Sequence, residues 1–213
     1  DVIKAPQDHG FEFVVGRFEK IIEDHQNKIA GVILEPLLQG AGGMIVWPAK
    51  VVDQIVELCR ARHVPIIFDE VMTGFGRTGK MFAFQHLYNV PDIICLSKGL
   101  TGGSLPLALT ICRDEIYQEF CSSDRRKMFF HGHSFTGNPL SCAAALANLK
   151  VFRDENTLDK ISTIAKFNGQ ELESLDLEKV RGVRSIGSVA AFDLNSAVGR
   201  LTAGALGLPV QVQ

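Results

Sequence analysis

A carboxylate and an amine each stand directly behind an apolar run of this sequence. Asp69 follows residues 64–68, and Lys98 follows residues 93–96 with one serine between. A buried carboxylate needs a cationic partner, and an amine shielded from water is a nucleophile toward an aldehyde. Taken singly, Lys98 is also explained as a charge that reaches solvent, and Asp69 as a helix cap or a metal ligand. Together they predict a site for an aldehyde on a cationic ring, and the protonated pyridine of pyridoxal phosphate is such a ring.

Helical and strand-like segments alternate around these residues. Periodicity predicts helices at 14–27, 48–63, 81–88, 114–120 (with Asp114 as cap), 139–151 and 154–175, and strands at 29–34, 64–68, 93–96, 105–112 and 183–194. This order predicts an α/β fold with a largely parallel sheet and helices on both faces. Ligands bind outside the carboxyl ends of parallel strands, so we expect Glu35, Asp69 and Lys98 to share one edge. The segment between Asp69 and Lys98 leaves room for one helical crossover.

The segment 74–80, Gly-Phe-Gly-Arg-Thr-Gly-Lys, matches two nucleotide-binding patterns. A phosphate-binding loop needs Ser or Thr after Lys80 to hold magnesium, and Met81 stands there. A dinucleotide site needs an acidic residue at the end of the next strand, where Lys98 stands instead. We therefore interpret the glycines as a tight loop that lets backbone pass close to a ligand or a partner subunit. ATP or NAD binding is the alternative.

Composition excludes several other classes of protein. The formal net charge of -2 gives no bulk attraction to nucleic acid or to an anionic membrane. Five scattered cysteines without a C-x-x-C pair argue against a disulfide framework or a zinc site. They favour a reducing, cytoplasmic setting. His131 and His133 resemble a metal pair, but no further ligands lie near them in sequence, so we predict no metal site.

Several ordered motifs resemble those of class III aminotransferases of fold type I. They are Phe-Asp-Glu-Val at 68–71, Thr-Gly-Phe-Gly-Arg-Thr-Gly-Lys at 73–80 and Ser-Lys-Gly-Leu-Thr-Gly-Gly at 97–103. Segments 35–43, 80–83 and 131–145 are most similar to the branch of the family that makes 7,8-diaminononanoate for biotin. That likeness implies an amino transfer from S-adenosylmethionine to 8-amino-7-oxononanoate. Another ω-aminotransferase, using acetylornithine, 4-aminobutyrate or lysine, stays open.

The resemblance also implies roles for individual residues in a homodimer with its sites at the subunit interface. Lys98 would hold pyridoxal phosphate covalently and shuttle protons, and Asp69 would pair with the pyridine nitrogen. Val71 would pack against the ring. The remaining assignments are Ser134 and the backbone of His133 for the cofactor phosphate of the neighbouring subunit, Gly132 for the substrate channel, and Glu35 and Gln39 for groups behind the ring. Ser134 stands where the family usually has threonine, and His133 where proline is common.

Family members are considerably longer than 213 residues. We therefore expect a fragment, with 1–152 forming part of the large cofactor-binding domain and 153–213 part of a smaller C-terminal domain. The glycine-serine phosphate cup of the family's amino-terminal half has no counterpart here. Its substrate-binding arginine has none either, and we do not assign Arg200 to that role. An inactive remnant that survives as a dimerisation module is the alternative from another class.

Overall fold

The computed structural model describes residues 10–25 and 28–194. A four-stranded sheet in the order β1-β4-β5-β6 forms its centre, with β1, β4 and β5 parallel and β6 antiparallel to β5. Two antiparallel pairs, β2 with β3 and β7 with β8, lie outside it. The strands are β1 Val32–Leu34, β2 Leu38–Gln39, β3 Ile45–Val46, β4 Ile66–Asp69, β5 Ile93–Leu96, β6 Leu109–Cys112, β7 Val180–Ile186 and β8 Val189–Leu194. The predicted α/β class with a largely parallel sheet is confirmed.

Five α-helices and three short 3₁₀ helices are found in the described part of the chain. The helices are α1 Gly10–Asp24, α2 Ala49–Ala61, α3 Asp114–Gln118, α4 Pro139–Asp154 and α5 Thr157–Glu173, with 3₁₀ turns at Ala83–His86, Lys98–Thr101 and Arg125–Lys127. Asn138 caps α4 because its side chain accepts the N–H groups of Leu140 and Ser141.

The main core lies between one face of the sheet and helices α1 and α2. Ile66 and Phe68 are fully buried on this face, while the alternate residue Ile67 is half-buried. On the opposite face Ile33 is 63% exposed. A second cluster joins Phe75, Leu96, Leu100 and Ala145, and so fixes α4 beside the segment after β5.

Several predicted boundaries were wrong for identifiable reasons. The predicted strand 105–112 is ordered as a strand only from Leu109. The carbonyls of Leu105 and Leu107 accept the hydroxyls of Thr101 and Ser97 instead of joining a ladder. Strand 183–194 is in fact a hairpin that turns at Gly187, where φ is 55°.

Three helix predictions also need correction. The helix predicted at 81–88 is a single 3₁₀ turn, so the crossover between Asp69 and Lys98 is mostly loop. Asp114 does not cap α3, because its carboxylate accepts the amide of Gln118 four residues on. The helix predicted at 14–27 begins earlier and ends at Asp24. Positions 26–27 and 195–213, including Arg200, lie outside the described residues.

Candidate active site

Asp69 and Lys98 follow neighbouring parallel strands at the same edge of the sheet. Asp69 ends β4 and pairs in register with Cys95 of β5, and Lys98 lies three residues beyond Cys95. Glu35 follows β1 at the same edge, because Leu34 pairs with Phe68. The three ionisable residues therefore lie at one edge of the sheet, as predicted. We call this the carboxyl edge: Glu35, Asp69 and Lys98 at the ends of β1, β4 and β5.

The Asp69 carboxylate is half-buried and only partly used by the chain itself. Its Oδ1 accepts the backbone N–H of Val71 at 3.0 Å, which turns the chain sharply at the end of β4. Among the described residues, Oδ2 accepts no hydrogen bond from another group. One oxygen is thus available to a cation at the edge, and Val71 lies beside it, half-buried.

Lys98 has a left-handed backbone, with φ at 42°. This conformation costs a non-glycine residue about 1 kcal/mol and occurs often at functional sites. Surrounding contacts hold it: Asn148 donates to the carbonyls of Gly99 and Leu100 at 2.7 and 3.2 Å, and a Cβ on Gly99 would lie 2.8 Å from Phe75. The side chain is exposed, in contrast to the shielded amine expected above. In the described part of the chain its Nζ makes no hydrogen bond or ion pair.

Glu35 is held at the edge by the turn that follows it. Its Oε2 accepts the N–H of Gly40 at 2.9 Å. Burial raises the pKa of the Glu35 carboxyl above its usual range, the Gly40 hydrogen bond opposes this, Asp69 adds to it and Lys98 reduces it. Gln39 belongs to β2 and pairs with Ile45.

Gly132, His133 and Ser134 lie together on an exposed loop, apart from the carboxyl edge. The N–H of His133 donates to Thr136 Oγ1 at 3.0 Å, and its ring Nδ1 accepts from Phe135 N at 3.1 Å. The His133 N–H can therefore donate to a phosphate only after its hydrogen bond to the Thr136 hydroxyl breaks. Over residues 10–25 and 28–194, no hydrogen bond joins this loop to Asp69 or Lys98, and the Ser134 hydroxyl makes none.

Glu70 is a buried residue that the sequence analysis overlooked. It is fully buried, and its carboxylate accepts the N–H groups of Ala83 and Phe84 at 2.6 and 2.9 Å and the hydroxyl of Thr73 at 3.3 Å. Burial raises the pKa of the Glu70 carboxyl, and the two backbone donors oppose this. Glu70 thereby closes the loop that carries Val71 back onto the end of β4. The only sequence signal was a second acid directly after an apolar run.

The glycine-rich loop at 74–80 is filled by the protein itself. A Cβ on Gly76 would lie 2.2 Å from Ile161 Cδ1 of α5, and one on Gly74 would lie 2.9 Å from the carbonyl of Glu70. The turn of the β7–β8 hairpin packs on the same loop, because Ser188 N donates to Arg77 O at 3.1 Å. The glycines were predicted to let backbone pass close to a ligand or a partner subunit; the groups that approach them are instead the chain's own hairpin and helix α5.

Two other kinds of site find no support in the described residues. No group of three or more His, Cys, Asp or Glu side chains in that part of the chain could hold a metal ion. None of its helices is long and apolar enough to span a membrane.

Comparison with known proteins agrees with this geometry. The family model for class-III aminotransferases matches residues 2–208, and the chain belongs to that family. It is 47% identical over 178 residues to an adenosylmethionine-8-amino-7-oxononanoate aminotransferase of Geobacter sulfurreducens. The aligned segment covers 83% of this chain and 39% of the relative. A relative of the same name from Methanocaldococcus jannaschii is 43% identical over 180 residues. This alignment covers 82% of this chain and 39% of the relative. The chain spans about two fifths of the length of these relatives.

Solved structures lead to the same family. The crystal structure of the M. jannaschii aminotransferase superposes with a TM-score of 0.77 at 40% identity, over 85% of this chain and 43% of that one. An omega transaminase from Pseudomonas jessenii in complex with PMP has a TM-score of 0.80 at 32% identity, over 89% of this chain and 43% of that one. Class III aminotransferases use pyridoxal phosphate. The groups at the carboxyl edge fit this cofactor: a carboxylate oxygen for a pyridinium, and an unpaired amine for an aldehyde.

Proposed function

We propose that this chain forms the central part of an aminotransferase that moves the amino group of S-adenosylmethionine to 8-amino-7-oxononanoate, giving 7,8-diaminononanoate for biotin synthesis. The observation that carries the proposal is the carboxyl edge, with Asp69 and the unpaired Lys98 at the ends of adjacent strands. The choice of substrates rests on the relatives that are 43–47% identical and bear this name.

The residues of the carboxyl edge divide the work between them. Asp69 uses Oδ1 to fix Val71 and offers Oδ2 to the protonated ring nitrogen of the cofactor. Val71 packs against the ring. Lys98 would hold the cofactor aldehyde covalently through Nζ, with the aldehyde oxygen leaving as water, and its amine would later move a proton at the substrate carbon. When bound, pyridoxal phosphate supplies an electron-withdrawing ring and keeps the amino group between the two halves of the reaction.

Glu35 and Gln39 belong behind this group in our proposal. The raised pKa of the Glu35 carboxyl results mainly from burial and is adjusted by Asp69 and Lys98. Its charge therefore influences how readily the edge holds a cation. Gln39 supports the same turn from β2.

A second copy of the chain would complete the site. The loop with Gly132, His133 and Ser134 is exposed and faces no partner among the described residues, and Ser134 has an unused hydroxyl. We propose that this loop binds the cofactor phosphate of the neighbouring subunit through Ser134 and His133, and that Gly132 borders the substrate channel. A hydroxyl and backbone N–H groups suit a phosphate.

We also propose the domain division at residue 152. Helix α4 runs two residues past this boundary to Asp154, and Asn156 then adopts a left-handed backbone with φ at 49°, so the backbone break lies just inside the proposed smaller domain. Residues 1–152 would then belong to the cofactor-binding domain and 153–213 to the smaller one.

A second candidate function is an ω-transaminase with another amino donor. It is favoured by the TM-scores of 0.80 with ω-transaminases at 32–35% identity. Amino-donor assays separate the two functions, because only the first requires S-adenosylmethionine.

The test is to add pyridoxal phosphate to the 213-residue chain, reduce with borohydride and map the adduct by mass spectrometry. We expect one major adduct, on Lys98, which disappears in Lys98→Ala. Lys150→Ala removes another exposed lysine, in α4, whose amine makes no hydrogen bond or ion pair with the described residues, and it should leave the adduct intact. Labelling spread evenly over surface lysines would contradict the proposed site.

A further inference from the structure

One arginine ties the β7–β8 hairpin to the turn at 40–44, which lies next to the carboxyl edge. Arg184 of β7 donates from Nε to the carbonyl of Met44 at 2.9 Å and from Nη2 to the carbonyl of Gly43 at 2.6 Å. Its Nη1 and Nη2 donate to the Asp193 carboxylate of β8 at 3.0 and 3.3 Å, and Nη1 also donates to the carbonyl of Gly182. Arg184 therefore ties the hairpin to a turn some 140 residues earlier in the chain.

The turn at 40–44 needs such a tie. Met44 has a φ of 54° and Gly43 a φ of 113°, so two successive residues lie in the left-handed region. For Met44 this conformation is strained, and it persists only where surrounding contacts hold it. The N–H groups of Gly43 and Met44 both return to the Gly40 carbonyl at 3.1 Å, which closes the turn from within. Arg184 holds it from outside.

The first residue of the turn contacts the site directly. Gly40 donates its N–H to Glu35 Oε2, and a Cβ at Gly40 would lie 2.1 Å from Met72 Sδ. The Met72 thioether therefore packs directly on the Gly40 backbone, and a larger residue at position 40 would have to displace it. Asp69 and Lys98 are the charged side chains that act on Glu35 from the neighbouring strands.

We propose that Arg184 is a positioning residue for the carboxyl edge. By holding the carbonyls of Gly43 and Met44, it keeps the Gly40 N–H on Glu35 and so orients that carboxylate toward Asp69 and Lys98. The planar guanidinium suits the task, since its fixed fork of donors reaches both carbonyls at once. The proposal rests on the proposed function only in treating this edge as the cofactor site.

The test follows the Gly40 amide by NMR in the ¹⁵N-labelled 213-residue chain as pH is varied. In the wild type, the proton shift of Gly40 should titrate with Glu35, because the N–H donates to that carboxylate; Glu35→Gln should abolish the titration. In Arg184→Gln we expect the titrating shift to fall by more than half. Asp193→Asn is the matched control, because it leaves both carbonyl contacts of Arg184 in place, and should retain the wild-type shift.

Two outcomes would overturn the proposal. The first is that the Gly40 amide of Arg184→Gln titrates with the same amplitude and midpoint as in the wild type. If that variant does not fold, Arg184→Met takes its place: it keeps an aliphatic stem but has no donor for either carbonyl, so an unreduced shift in that variant is the second outcome. The readout needs no cofactor, so a missing adduct on Lys98 would contradict the proposed function and leave this inference standing.

Discussion

The carboxyl edge and the loop at 128–137 differ in how the chain supports the residues that we propose for the site. At the edge, the chain supplies its own supports: Glu70 is fully buried and holds three donors. In the loop, Phe130 and Phe135 are 73% and 72% exposed, and Ser134 has no hydrogen bond within the described residues. The first region is supported by contacts within the chain, whereas the second exposes aromatic rings that, in our proposal, a second copy covers. Changes at the edge should therefore affect folding, and changes in the loop should affect association.

The largest effect is expected for Glu70→Ala. The change leaves the buried N–H of Ala83 and that of Phe84 without an acceptor, so unfolding free energy should fall by about 3 kcal/mol. Urea denaturation measures this. Glu57→Ala, at an exposed position of α2, is the matched control and should change stability by less than about 0.5 kcal/mol. Equal losses in the two variants would show that the edge is not supported by Glu70.

Gly187→Ala should have the next largest effect. A Cβ there would lie 2.4 Å from Gly79 N, and the residue has a φ of 55°, so the hairpin must lift from the loop. We expect a loss of about 2 kcal/mol in thermal or urea unfolding. Gly169→Ala is the counterpart in helix α5, where a Cβ meets nothing within 4 Å, and should stabilise the chain by up to about 1 kcal/mol. If Gly187→Ala has the same free energy of unfolding as the wild type, the hairpin does not need the close contact between Gly187 and Gly79.

Phe130→Ser tests the other region. The side chain is largely exposed, so stability should change by less than about 0.5 kcal/mol. Self-association, measured by analytical ultracentrifugation, should weaken by about tenfold, a loss of roughly 1.4 kcal/mol. Tyr88→Ser removes an aromatic ring that is 99% exposed in a different loop and should leave association unchanged. If Tyr88→Ser has the same effect, the loop at 128–137 is not the contact surface.

Cysteine labelling perturbs the protein least, and it compares the reactivity of a buried thiol with that of an exposed one. Burial raises the pKa of the Cys59 thiol to about 12, so at pH 8 only roughly one molecule in 10⁴ carries the thiolate there. Cys121, exposed beside Phe120, should react with iodoacetamide long before Cys59 in the folded chain. Labelling rates followed by mass spectrometry check this. Raising the pH toward 12 should increase the reactivity of Cys59, and similar rates at pH 8 would contradict the assigned burial.

The succession of strands along the chain and their ionisable ends were predictable because they depend on local pattern. Short apolar runs that end in Glu35, Asp69 and Lys98 indicate parallel strands, and parallel strands bring their ends together. The segment 93–96 was even bounded correctly. The extent of β6 was not predictable, because side-chain hydroxyls of Thr101 and Ser97 take the carbonyls that a longer strand would use.

The sequence by itself determined the family, the α/β class and the pair Asp69 and Lys98, since residue type and order along the chain contain that information. The tertiary structure alone decided what supports the pair. Glu70 finds its donors 13 and 14 residues away, and Arg184 finds its carbonyls 140 and 141 residues away. Such bonds depend on which backbone groups folding leaves without a partner, and no periodicity in the sequence records them.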